Sequence, residues 1–131
     1  MLYYSDSEKR TREIAKEFAA TLKKGDVVLL SGELGAGKTA FMKGVAEYFG
    51  FGGVTSPTYA YLNVYGDLIY HYDCYRLSSG EEAAAMGLTD YFGGDNICFI
   101  EWSENIEDAL PENCKRVKIE KRGENEREIE L

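Results

Sequence analysis

Residues 26–49 read DVVLLSGELGAGKTAFMKGVAEYF. The apolar run Val27–Leu30 is too short for a helix and is β-branched at its start, which suits a strand buried on both faces. Gly32–Thr39, GELGAGKT, follows at once with three glycines and a lysine. From Thr39 to Phe49 the pattern is helical, and Gly50 closes it. Buried strand, glycine loop and helix in that order predict an α/β fold.

Working outward, Ser7–Lys24 reads as an amphipathic helix. Ile14, Phe18 and Leu22 recur at four-residue spacing, Ser5 or Ser7 can cap it, and Gly25 stops it. Residues 52–58, GGVTSPT, form a loop, because Pro57 forces Ser56 away from helix. YAYLNVYGDLIYHYDCY, residues 59–75, reads as an aromatic hairpin turning at Gly66-Asp67. SGEEAAAMG is a short helix capped by Ser78 or Ser79, NICFIEW a buried strand, and ENIEDALPE a short helix or turn. RVKIEKRGENEREIEL closes the chain as a second hairpin. The fold expected is α/β: one domain over residues 1–131, with a central mixed parallel and antiparallel sheet flanked by helices.

No apolar run approaches the roughly 18 residues of a membrane span, and MLYYSDSEKR lacks an apolar signal region. A soluble, cytoplasmic protein is expected. Cys74, Cys98 and Cys114 are odd in number and show no C-x-x-C spacing, so reduced thiols are expected rather than a disulfide framework or zinc site. The net charge of −8 argues against direct binding of nucleic acid, since phosphate contacts need clustered Lys and Arg. A polyphosphate would have to be held by local donors.

The glycine loop supplies such donors. GELGAGKT fits G-x-x-x-x-G-K-[ST], in which glycines let successive N–H groups turn toward phosphate oxygens. The helix that follows offers its positive end to the same anion. Lys38 reaches the β- and γ-phosphates, and the Thr39 hydroxyl suits Mg²⁺. A chance glycine-rich turn is the plain alternative, but the strand before and the helix after are the context the motif requires, so the α/β domain is expected to be a small P-loop NTPase.

Such a loop needs an acid on a neighbouring strand to hold magnesium and position water. Glu101, which ends ICFI, and Asp73, which ends LIYHYD, both qualify; either could instead be a solvated strand-end carboxylate. Thr55, Ser56 and Thr58 lie in a loop that could sense the γ-phosphate or be an ordinary turn. No N-K-x-D guanine reader occurs, which favours adenine. Trp102, the single tryptophan, adjoins Glu101 and reads more readily as core than as a stacking platform. The lone His71 reads as structural. Arg76 is either a charge stabiliser or a solvated arginine.

GELGAGKTAF, VTSPTY, YHYDCYRL and FIEW, in that order, resemble the TsaE (YjeE) family, small bacterial ATPases of tRNA threonylcarbamoyladenosine synthesis. The resemblance spans nearly the whole chain. It implies slow Mg²⁺-dependent ATP hydrolysis and work with the TsaD and TsaB proteins, which modify the adenosine beside the tRNA anticodon; tRNA would be met only through that complex. It implies that Glu33, Leu34, Gly35, Ala36, Gly37, Lys38, Thr39 and Ala40 hold the nucleotide. Thr39, Glu101 and Asp73 would lie at the metal, with Asp73 and Glu101 catalytic, and Trp102 would follow the acid. Thr11 and Arg127 match family positions toward the adenine. Cys74 and Ser103 depart from the family pattern, outside the assigned chemistry. A small-molecule kinase and a non-enzymatic nucleotide-sensing adaptor are the alternatives; the first predicts substrate-dependent phosphoryl transfer, the second ATP binding without turnover.

Overall fold

The computed structural model describes residues 1–33, 36–52 and 61–131. Among the described residues, seven strands form one sheet in the order β1-β7-β6-β2-β5-β4-β3. The strands are β1 (Leu2–Ser5), β2 (Val27–Ser31), β3 (Leu62–Tyr65), β4 (Ile69–Asp73), β5 (Ile97–Glu101), β6 (Lys115–Lys121) and β7 (Arg127–Glu130). The helices are α1 (Glu8–Ala19), α2 (Lys38–Tyr48) and α3 (Gly80–Ala85), with 3₁₀ segments at Leu88–Tyr91 and Ser103–Ala109. The mixed parallel and antiparallel sheet with flanking helices is the fold expected. Among the described residues, no helix is long and apolar enough to cross a membrane.

The chain falls into two compact units, each described by itself. The first comprises residues 1–22, 31–56 and 116–131. In it α1 begins at Ser7, whose hydroxyl oxygen accepts the Arg10 N–H at 3.0 Å. The helix ends at Ala20, earlier than the apolar spacing through Leu22 suggests. The Thr21 hydroxyl donates to the Phe18 carbonyl at 2.7 Å, a local bond that competes with continuing the helix. Ile14, Ala15, Phe18 and Ala19 are buried, as are Phe41, Met42, Val45 and Ala46 of α2. The two helices meet at Gly44, where an added Cβ would stand 2.5 Å from the Arg12 carbonyl oxygen and 2.7 Å from the Ala15 Cβ. Lys16 and Arg12 reach Glu47 at 3.0 and 3.5 Å over the same crossing.

The closing hairpin forms as expected, with Ile119 opposite Ile129. Val117, Ile119 and Ile129 face inward at alternate positions while their charged neighbours face out. β1 was not foreseen as a strand. It pairs antiparallel with β7, Leu2 opposite Glu130 and Ser5 opposite Arg127.

The second unit comprises residues 23–30 and 57–115. Its β2, β5 and β4 are parallel neighbours: Leu30 aligns with Glu101, and Glu101 with Asp73. Every residue of β5 is buried, which explains its unbroken apolar sequence. Tyr72, Cys98, Ile100, Val27 and Leu29 form one core with Leu77, Ala83, Leu88 and Ile106. The alternate residues Ile69, His71, Phe99 and Val28 therefore face the opposite side of the sheet.

β3 and β4 make the expected hairpin. Leu68 N–H donates to the Tyr65 carbonyl across Gly66 and Asp67, both at positive φ (60° and 54°). The ladder itself pairs Tyr65 with Ile69, one residue beyond a plain two-residue turn. Ser79 caps α3, accepting the Glu82 N–H at 3.1 Å. The three cysteines are free thiols.

Candidate functional site

The glycine loop leaves β2 after Ser31. A Cβ on Gly32 would lie 2.6 Å from the Ile119 carbonyl oxygen of β6, so only glycine fits without a shift. Ala36 is buried, and its N–H donates to the Glu33 carbonyl at 2.9 Å. Gly37 caps α2 at φ 107°, a left-handed conformation that disfavours any side chain. Its carbonyl accepts the Phe41 N–H at 3.0 Å, the first bond of the helix. Having no side chain, Gly37 supplies no cap to the first helical N–H groups. No acid occupies the first turn, where Lys38 and Thr39 sit, Thr39 exposed. Ala40 is half-buried and Glu33 exposed beside them. This helix end suits an anion: the dipole is positive there and the first turn carries no carboxylate.

Arg127 closes over this loop from the last hairpin. Its Nε donates to the Ala36 carbonyl at 2.8 Å. Its Nη1 donates to the carbonyls of Gly123, Glu124 and Glu126 at 3.2, 3.2 and 3.0 Å. Thr11, the other residue expected toward the adenine, lies buried on α1, its hydroxyl 2.7 Å from that of Ser5. Leu34 and Gly35 of the loop, and Thr55, Ser56 and Thr58, lie outside the described residues.

The two candidate acids belong to the second unit and are register partners at the C-terminal end of the parallel strands. That is the edge at which open α/β sheets bind ligands. Asp73 is half-buried; its carboxylate accepts the Tyr75 N–H at 3.0 Å, which starts the turn out of β4. Glu101 is 9% exposed. The segments that follow the two acids are tied together. Cys74 N–H donates to the Glu101 carbonyl at 3.1 Å, and the Asn105 side-chain amide donates to the carbonyls of Cys74 and Tyr75. Burial, with the charges of Asp73 and Glu101 nearby, pushes the Cys74 thiol up to about 12.

His71 has a larger part than a lone strand histidine suggests. It is 2% exposed, and its Nε2 lies 2.6 Å from Glu101 Oε2. Its Nδ1 is buried with no hydrogen-bond partner among the described residues. His71 and Asp73, two residues apart, share one face of β4, and the β4–β5 register brings Glu101 to them. Trp102 departs from the core reading: it is 43% exposed, at positive φ (58°), with its ring edge-on to Tyr75 at 4.9 Å. Arg76 is exposed.

Asp73 and Glu101 are hard oxygen donors, and magnesium takes one or two carboxylates together with phosphate oxygens and water. The chemistry of this donor pair therefore fits Mg²⁺.

Comparison with known proteins covers nearly the whole chain. The family model described as threonylcarbamoyl adenosine biosynthesis protein TsaE matches residues 5–129. The TsaE protein of Bacillus subtilis is 44% identical over 123 residues, covering 91% of this chain and 77% of that protein. That of Haemophilus influenzae is 42% identical over 126 residues, covering 89% and 80%. The crystal structure of Bacillus subtilis YdiB superposes with a TM-score of 0.80 at 39% identity, over 98% of this chain and 82% of that one. A match along almost the entire sequence, on the same fold, places this chain in the TsaE family of tRNA threonylcarbamoyladenosine biosynthesis proteins.

Proposed function

We propose that this chain is a cytoplasmic, Mg²⁺-dependent ATPase that acts on the TsaD and TsaB proteins during synthesis of N6-threonylcarbamoyladenosine in tRNA. The observation that carries the reading is GELGAGKT between a buried strand and the start of α2, whose N-cap is a glycine with no side chain. The loop amides and Lys38 would hold the phosphates; the Thr39 hydroxyl and, in the second unit, the strand-end carboxylates Asp73 and Glu101 are the oxygen donors that would serve the cation. Magnesium, when bound, neutralises charge on the β- and γ-phosphate oxygens. Asp73 or Glu101 orients the attacking water, and His71 fixes the Glu101 carboxylate. Positioning and charge stabilisation supply most of the rate in such reactions. If a partner completes the site, turnover by the chain alone is expected to be slow. The net charge of −8 leaves tRNA contact to the partners.

The test is phosphate release from ATP by the wild type and Asp73→Ala, with and without purified TsaD–TsaB, with ATP binding measured in the same samples. Partner-stimulated turnover, lost in Asp73→Ala while binding persists, is the expected result. Binding with no turnover under either condition would replace the ATPase with a nucleotide sensor.

A further inference from the structure

Arg127 lies 91 positions from Ala36 in sequence, yet its Nε–H donates to the Ala36 carbonyl at 2.8 Å. The carbonyl of Ala36 and the N–H of Gly37 belong to one planar trans peptide and point in opposite directions. A donor on the carbonyl therefore fixes where the Gly37 N–H points. The following residues are Lys38 and Thr39, so this is the peptide through which the loop enters α2. The guanidinium is itself held. The turn between β6 and β7 gives it three carbonyls, those of Gly123, Glu124 and Glu126. A Cβ on Gly37 would rest 3.6 Å from Arg127 Nε, so the side chain also packs against the loop.

We infer that Arg127 is a positioning residue for the phosphate loop: it orients the Ala36–Gly37 peptide so that the Gly37 N–H is presented to a phosphate. The inference rests on the nucleotide-binding reading above and deepens it. The planar fork is what the task requires. Nε serves one strand of contacts and Nη1 another, a division that a lysine ammonium on a flexible stem does not reproduce. The role differs from a contact with the adenine, and the difference is measurable. A residue that shapes the loop affects any polyphosphate, whereas a residue on the base affects only ligands that carry one.

The experiment is calorimetric titration of the full chain with Mg-ATP and, separately, with magnesium tripolyphosphate, for the wild type, Arg127→Lys and Arg127→Gln. The thermal midpoint of each variant is recorded, and so are the amide resonances of Gly37 and Ile129 without ligand. Loss of one charge-assisted hydrogen bond corresponds to about tenfold or more in affinity. Both variants should lose that factor for both ligands alike, with the Gly37 resonance shifted and that of Ile129 retained. Loss of ATP affinity with tripolyphosphate binding intact would overturn the inference in favour of a base contact. Full binding by Arg127→Lys would overturn it in favour of charge alone. A wild type that binds neither probe defeats the nucleotide reading instead, and an unshifted Gly37 resonance in the variants defeats the loop role by itself.

Discussion

His71 and Glu101 meet 2.6 Å apart in a region almost closed to solvent. Removing one member of such a pair costs about 1–3 kcal/mol, because the other loses a buried hydrogen bond. His71→Ala should therefore lower unfolding free energy by about that amount in a urea titration, and His71→Gln, which retains a donor, by less. Equal losses in the two variants would show that packing, not the hydrogen bond, matters there. The thiols make a second residue-level test. Burial pushes Cys74 and Cys98 up to about 12, while Cys114 is partly exposed. Iodoacetamide should label Cys114 in the native protein, and all three thiols only after unfolding, as read by mass spectrometry of peptides. At this scale the sequence named Asp73, Glu101 and Lys38 from local context, but it left His71 as a bystander. The histidine's partner lies thirty residues away, on a neighbouring strand, and nothing local signals it.

The helices were legible because their signals are local. Ser7 and Ser79 cap the helices they precede, and Gly50 at φ 85° follows α2. The end of α1 was not, because Thr21 diverts the Phe18 carbonyl while the apolar spacing continues to Leu22. Gly44 is the position on which the α1–α2 pair depends. Gly44→Val places carbon against the Arg12 carbonyl and the Ala15 side chain, at distances real contacts do not reach. The helices must then separate, at a cost of about 1–3 kcal/mol or more. The check is the denaturation midpoint; a Gly44→Val protein as stable as the wild type would mean that the crossing has slack. Nothing in the sequence around Gly44 marks it, since its neighbours Arg12 and Ala15 are on another element.

For the whole molecule, charge is distributed rather than concentrated in the core. Glu47, Glu120 and Glu128 are held below the usual carboxylate range of 4.5, chiefly by hydrogen bonds from Lys16, Lys118 and Arg122 respectively. A folded-state value below the unfolded one stabilises above the unfolded value and is lost as pH falls through the folded one. Stability should thus decline below about pH 4.5, and the decline should shrink in high salt, because these ion pairs lie at the surface within reach of solvent. Unfolding midpoints at neutral and acid pH, each at low and high salt, test this; a decline unaffected by salt would place the responsible carboxylates elsewhere.

Strand, loop and helix were readable from residues 26–49 because glycine placement and apolar period are properties of a short piece of chain. What tertiary structure alone decided is pairing: β5 lies between β2 and β4, β1 joins β7, His71 meets Glu101, and Arg127 reaches Ala36. Backbone donors and acceptors are the same on every strand. The choice among partners is therefore made by the packing of distant side chains, which no local stretch of sequence contains.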